Sequence, residues 1–74
     1  MRKAWLSTMQ ILVNDQLYET TEACTVAALL EQLGLTGKPV AVEVNLQLVP
    51  RQRHNEHVLA GNDRLEIVTL VGGG

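Results

Sequence analysis

Hydrophobic residues recur with two different periods along this chain, and each period predicts a different kind of element. Stretches rich in β-forming residues, with apolar side chains at alternating or successive positions, predict strands at residues 9–13, 17–20, 40–44 and 64–71. Turn-forming residues 14–16 lie between the first two stretches and predict a β-hairpin. Residues 48–49 can form a further short strand, which Pro50 restricts to the edge of a sheet.

One stretch has the period of a helix. Its apolar positions, spaced i, i+3, i+4 and i+7, are Val26, Leu29, Leu30 and Leu33. Thr25 is suited to cap the start of this helix, and Gly34 is suited to end it. A second set of turn residues, 60–63, precedes the last strand. The order ββαββ predicts an α+β fold in which a mixed sheet packs over one main helix.

The composition describes one small domain with an aliphatic core. The 74 residues are 46% hydrophobic and 19% charged, with one Trp, one Tyr and no Phe. The net charge is −2 and the six Lys and Arg residues are scattered, so we expect no nucleic-acid partner. No stretch approaches the ~20 apolar residues of a membrane span, so we expect no membrane partner. The single cysteine, Cys24, cannot form an internal disulfide, which is typical of a cytoplasmic protein.

The two ends of the chain differ in composition from its middle. We interpret residues 1–8 as a flexible extension, residues 9–71 as the folded domain and residues 72–74 as a flexible glycine tail. Arg2 and Lys3 precede a short apolar piece, as in the start of a signal peptide, but no small-residue cleavage site follows.

Few side chains are candidates for chemistry. His54 and His57 invite a metal site, yet Glu56 alone does not complete a set of four ligands. Cys24 lies where the helix begins, a position that can make a thiol reactive, but we interpret it as a buried small hydrophobe. No Ser/His/Asp set or phosphate-binding glycine loop is present in the sequence.

Three consecutive glycines end the sequence directly after the last predicted strand. Such an ending is typical of a frayed terminus, and it is equally suited to entering a narrow site on another protein, because glycine has no Cβ. The carboxylate of Gly74 is ionised at neutral pH and resists nucleophiles. Any reaction there needs prior activation, for example as an acyl-adenylate.

Several segments resemble those of one protein family. They are residues 9–14 (MQILVN), 40–45 (VAVEVN), 49–51 (VPR) and 61–68 (GNDRLEIV). In this order, and followed by a terminal Gly-Gly, they make residues 9–74 resemble the ubiquitin-like sulfur carriers of thiamin biosynthesis, the ThiS family. The resemblance implies the β-grasp fold, in which a sheet curls around one helix.

The resemblance also implies a function centred on the tail. A ThiF-type adenylyltransferase would use ATP and magnesium to adenylate Gly74, with Gly73 and Gly72 threading into its active site. Sulfur from a persulfide, such as that of a cysteine desulfurase, would then replace AMP and give a thiocarboxylate. A ThiG-type thiazole synthase would take this sulfur for the thiazole ring of thiamin. The chain would bind no cofactor of its own and would be a co-substrate rather than an enzyme.

Alternation along the last strand predicts a docking surface beside the tail. If Leu65 and Ile67 face the helix, then Val68 and Leu70 face outward. Leu12 of the first strand faces outward too. We expect the outward-facing Leu12, Val68 and Leu70, together with Val71, to contact partner enzymes.

Two positions depart from the family pattern, and three other functions remain. Gly72 adds a third glycine to the ending, and His54 stands where the family often has an aromatic residue such as Trp. A molybdopterin-type sulfur carrier would share the fold and the tail, but such carriers tend to be longer and richer in aromatic residues. The chain could also be a ubiquitin-like modifier joined through Gly74 to a lysine, or an interaction module without tail chemistry.

Overall fold

The computed structural model describes residues 7–70. In chain order its elements are β1 (Thr8–Val13), β2 (Gln16–Thr21), α1 (Val26–Gln32), β3 (Val40–Val44), β4 (Gln47–Val49), a 3-10 turn (Arg51–Arg53) and β5 (Arg64–Thr69). Predictions for residues 1–6 and 71–74 lie outside the described residues. In the part that is described, no helix has both the length and the apolar character needed to cross a membrane.

The strands form one mixed sheet in the order β2-β1-β5-β3-β4. β1 pairs with β2, and β3 with both β4 and β5, in antiparallel fashion, whereas β1 and β5 run parallel. A parallel pair needs a crossover connection, and the intervening chain supplies it with α1 on one face of the sheet. The last strand of the chain is therefore the central strand. This is the α+β, β-grasp arrangement that the resemblance implies, and the prediction of the fold is confirmed.

Both hairpins turn through an asparagine. In the β1–β2 turn, Asn14 and Asp15 have φ values of 51° and 69°, and in the β3–β4 turn Asn45 and Leu46 have 52° and 70°. Two successive residues with positive φ make a type I′ turn, whose twist matches that of the flanking strands. The short β4, which the sequence predicted as an edge strand ahead of Pro50, does lie at the edge of the sheet.

The helix closes the core from one side. The buried hydrophobic residues are Ile11, Cys24, Val26, Leu29, Leu30, Val42, Val44, Val49, Leu59, Leu65 and Ile67. The side chain of Thr25 accepts a hydrogen bond from the Ala28 amide at 3.1 Å, as predicted for the N-cap. Gly34 follows the helix with a φ of 75°, which a glycine adopts without strain.

The loop that follows the 3-10 turn packs on the N-terminus of α1. The carbonyl of His57 accepts a hydrogen bond from the amide of Val26 at 3.0 Å, and that of His54 accepts one from Ala27 at 2.9 Å. Amides of the first helical turn have no partner within the helix, so these carbonyls satisfy them. The helix is thereby fixed to the segment between β4 and β5.

Several strand boundaries differ from the sequence prediction by one or two residues, and those of β1 and β5 have a clear cause. β1 begins at Thr8 and the Ser7 carbonyl accepts a hydrogen bond from Glu22, so the structured part starts before residue 9. The β-branched Thr8 pairs with Thr21 of β2, which extends the hairpin. β5 ends at Thr69 rather than at residue 71, because β3 begins at Val40 and its pairing with β5 stops at Thr69.

Candidate functional site

The chain leaves the sheet from its central strand. β5 is paired with β1 on one side and with β3 on the other, and beyond the strand the amide of Leu70 donates a hydrogen bond to the Pro39 carbonyl at 2.8 Å. The predicted tail residues Gly72, Gly73 and Gly74, like Val71, lie outside the described residues. The last residue described is Leu70, directly after the central strand of the five-stranded sheet.

The outer face of β5 beside this exit is apolar. Val68 has 56% of its surface exposed and Leu70 has 50%, whereas Leu65 and Ile67 are buried beneath α1. The structure therefore confirms the predicted alternation, in which Leu65 and Ile67 face inward while Val68 and Leu70 face outward. Ala41 of β3 lies directly opposite Val68 and extends the apolar surface by one strand. Side chains of this kind can contact a partner without cost to the core.

Leu12 lies at the other end of the same face. It is half-buried and in register with Arg64, four residues before Val68 along β5, which places the two about 13 Å apart along the strand. Its cross-strand neighbour is Leu17 of β2, which is 71% exposed. The structure thus brings Val68 and Leu70 together near the tail and separates them from Leu12.

Two carboxylates occupy the middle of the outer face. Glu43 of β3 stands directly opposite Glu66 of β5 in the antiparallel register. Among residues 7–70 the one ion pair joins Arg64 to Asp15 at 3.8 Å, so neither glutamate is neutralised within the described chain. Like charges in this position repel each other. The sequence reasoning did not foresee this pair, because it depends on a register between strands that are more than twenty residues apart.

His54 and Cys24, two of the residues considered as candidates for side-chain chemistry, are buried in the fold. His54 is 8% exposed, and its Nε2 lies 3.0 Å from the Val49 carbonyl. A carbonyl can only accept, so Nε2 carries the proton of this hydrogen bond. Cys24 is 4% exposed, which confirms that it is a buried small hydrophobe. No group of three or more His, Cys, Asp or Glu side chains suited to a metal ion occurs among the residues described.

His54 connects three parts of the fold. Its ring hydrogen bond ties the segment after β4 to the end of that strand, and its carbonyl accepts the hydrogen bond from Ala27 of α1.

Known proteins with a similar sequence or structure agree with this architecture. The chain is 36% identical over 66 residues to the sulfur carrier protein ThiS of Escherichia coli, which covers 89% of the chain and all of that protein. It is 38% identical over 66 residues to a thiazole synthase of Paramagnetospirillum magneticum, but spans only 20% of its length. The crystal structure of the thiamine biosynthesis protein ThiS from Geobacter metallireducens matches with a TM-score of 0.77 and 26% identity, over 89% of this chain and 100% of that one.

The sequence also matches the ThiS family as a whole. The match extends over residues 11–74 and so includes the second half of β1, every later element and the final glycines. The chain belongs to the ThiS family.

Proposed function

We propose that this protein is the sulfur carrier that supplies the thiazole ring of thiamin, and that the carboxylate of Gly74 is its reacting group. The observation that carries the proposal is the family match, which extends through residues 72–74. The position of β5 supports it, because a strand paired on both sides is a rigid base for a tail that must reach into another protein.

The proposed chemistry begins with activation of the carboxylate. A carboxylate oxygen of Gly74 attacks the α-phosphorus of ATP on a ThiF-type adenylyltransferase, and pyrophosphate leaves with magnesium. The acyl-adenylate has a good leaving group, so the terminal sulfur of a persulfide displaces AMP and forms an acyl disulfide. A second thiol then cleaves the sulfur–sulfur bond. It leaves the thiocarboxylate on Gly74 and joins the donor in a disulfide.

The glycine tail suits the first of these steps. Gly72 and Gly73 have no side chain, so the main chain can pass through a channel too narrow for other residues. The third glycine adds one residue of reach. The partner enzyme supplies the ATP and magnesium sites, and the carrier supplies a substrate group on a stable base.

The relatives support delivery of the sulfur to a thiazole synthase. The proteins of that name that match this chain, from Paramagnetospirillum magneticum and Magnetococcus marinus, do so over a fifth of their own length. A carrier-like segment within the polypeptide of a thiazole synthase has a high effective concentration at the active site. A separate carrier must achieve the same encounter by docking. We therefore assign a ThiG-type thiazole synthase as the acceptor.

We assign the docking contacts to the apolar surface beside the tail. Val68 and Leu70 are half-exposed at the end of the strand from which the tail leaves, and Val71 continues the chain. A partner that binds the four residues after Leu70 comes within about 13 Å of this part of the sheet, which supports the assignment. Leu12 lies farther off and contributes only if the partner extends across β5 to β1.

Intact-mass spectrometry tests the proposal. The protein is incubated with a ThiF-type adenylyltransferase, ATP, magnesium, a cysteine desulfurase, cysteine and a reducing thiol. We expect a species in which one oxygen is replaced by sulfur, and this species is consumed when a thiazole synthase and its other substrates are added.

Two variants locate the reaction. Deletion of Gly74 should abolish the mass change, and Gly73→Val should slow it strongly by obstructing the channel. Gly61→Ala serves as the matched control, because a Cβ there meets only Met9 Cβ at an ordinary 3.8 Å. An isopeptide-linked ladder would instead identify a protein modifier, and no mass change with an adenylyltransferase active on another carrier would refute both functions.

A further inference from the structure

The side chain of Asn14 replaces a missing strand residue at the end of β5. Its Oδ1 accepts a hydrogen bond from the Ile67 amide at 2.8 Å, and its Nδ2 donates one to the Ile67 carbonyl at 3.1 Å. A carboxamide has the same donor and acceptor as a peptide group, so this side chain pairs with the backbone as a neighbouring strand would.

The reason for this arrangement is that β1 ends too early. Along the parallel pair, the amide of Leu12 donates to the Asp63 carbonyl and that of Asn14 to the Leu65 carbonyl, each at 2.9 Å. The next position of this ladder is the Ile67 carbonyl, but the chain has already turned into the β1–β2 hairpin. The Asn14 side chain reaches this position instead. It extends the β1 side of the ladder by one step toward the tail.

Asn45 makes a comparable contact at the opposite end of β5. Asn45 occupies the same position of the other type I′ turn. Its side-chain Oδ1 accepts a hydrogen bond from the backbone amide of Arg64 at 3.0 Å, and its backbone amide donates one to the Arg64 carbonyl at 2.7 Å. Its Nδ2 donates to the side chain of Asp63 at 2.9 Å. One asparagine therefore holds the start of β5 and the other holds its end, which makes Asn45 an internal control for Asn14.

The two contacts differ in their relation to the tail. Ile67 lies three residues before Leu70, the last residue described, whereas Arg64 lies at the beginning of the strand. Between Ile67 and Leu70, the hydrogen bonds on the other side of β5 come from β3 and Pro39. Without the Asn14 side chain, this segment would be held from one side only.

We propose that Asn14 is a positioning residue for the tail reaction: by fixing Ile67 on the β1 side, it sets the place and direction from which residues 71–74 leave the sheet. This inference rests on the proposed function, in which Gly74 must reach ATP on a partner enzyme. A reacting group that is displaced by about 1 Å can lose on the order of 100-fold in rate, so a clamp on the base of a short tail matters. Asn14 makes no contact with substrate and acts through β5.

The test compares Asn14→Gly with Asn45→Gly. Glycine adopts the positive φ of both turns without strain, so each variant removes a side-chain amide and little else. Both are assayed at a temperature at which circular dichroism shows them fully folded. Initial rates of ATP-dependent pyrophosphate release are measured with a ThiF-type adenylyltransferase over a range of carrier concentrations.

We expect Asn14→Gly to lower kcat roughly ten- to hundredfold with little change in KM, since the docking residues are untouched. Asn45→Gly should keep the wild-type kcat within about twofold. A loss of folded protein alone would raise the apparent KM and leave kcat unchanged. Asn14→Asp keeps the oxygen that accepts from Ile67 and should restore part of the lost rate. In parallel, hydrogen exchange at the Ile67 amide should accelerate in Asn14→Gly and not in Asn45→Gly.

Each outcome has a distinct meaning. If the wild-type protein is turned over and Asn14→Gly has the kcat of Asn45→Gly, the positioning role is refuted and the proposed function stands. If the wild-type protein is not adenylated by an enzyme that is active on another carrier, the proposed function fails, and the positioning role fails with it.

Discussion

Replacing Glu66 by lysine should stabilise the protein. Glu66 and Glu43 face each other across β5 and β3, and no cation among the described residues pairs with either of them. Directly opposed residues of antiparallel strands have Cβ atoms about 4.5–5.5 Å apart, close enough for their charges to interact. Glu66→Lys converts a repulsive pair into an attractive one without touching the core.

The expected gain follows from the geometry. Two unit charges about 6 Å apart in water interact with roughly 0.7 kcal/mol, and side-chain mobility and salt reduce this value to about half, roughly 0.35 kcal/mol. Changing the sign of the interaction counts the reduced value twice, so we expect Glu66→Lys to gain about 0.7 kcal/mol at low ionic strength. For a domain of this size that corresponds to an increase in Tm of roughly 3–6 °C. Glu66→Gln removes only the repulsion and should gain about half as much.

Urea unfolding followed by far-UV circular dichroism, at low salt and at 1 M NaCl, measures the effect. Glu22→Lys is the matched control, because it changes the net charge equally in the turn that follows β2, outside the sheet. The gain of Glu66→Lys should exceed that of Glu22→Lys and should shrink at high salt. A Glu43→Gln/Glu66→Gln double-mutant cycle isolates the coupling between the two carboxylates. Equal gains for both lysine variants, or a gain that is unaffected by salt, would show that the pair does not destabilise the sheet.

Three further substitutions test the docking surface and the helix. Val68→Asp should lower kcat/KM for adenylation about tenfold, whereas Leu17→Asp, equally outward but distant from the tail, should lower it less than twofold. Because aspartate is disfavoured in strands, both variants are assayed at a temperature at which circular dichroism shows them fully folded. Equal effects in pyrophosphate release would contradict docking beside the tail. Thr25→Ala removes the N-cap and should cost about 1 kcal/mol in urea unfolding, with Thr25→Ser recovering most of it. Gly34→Ala should cost about 1 kcal/mol although its Cβ would meet nothing within 4 Å, because its φ is 75°; an unchanged midpoint would show that the helix end relaxes freely.

Most of the elements could be predicted from the sequence because their signals are local. The helix lies between Thr25 and Gly34, where a capping side chain and a glycine mark its two ends. The hairpin around Asn14 could be predicted because its turn requires positive φ angles, which asparagine and aspartate adopt more readily than most other residues. The inward facing of Leu65 and Ile67 follows from the two-residue period of a strand, and the structure confirms it.

The surface beside the tail could be predicted only in part, because strand register depends on distant residues. Leu12 and Val68 share a face, as expected, but the alignment of Leu12 with Arg64 separates them along β5. The opposition of Glu43 and Glu66 depends in the same way on how β3 pairs with β5. His54 could be interpreted from the sequence as a metal ligand. In the structure its Nε2 is hydrogen-bonded to the backbone carbonyl of Val49.

The local pattern of residues thus specifies which segments become strands and helix, and which side of each is apolar. Those properties depend on backbone preferences and periodicity within a few residues. Only the tertiary structure decides how these segments lie relative to one another. In it the last strand, β5, becomes the central strand, and Asn14, 53 residues away in the sequence, is hydrogen-bonded to Ile67. A turn-forming asparagine and one that also completes a distant strand look the same in the sequence, because the hydrogen bonds that distinguish them form only when β5 packs beside β1.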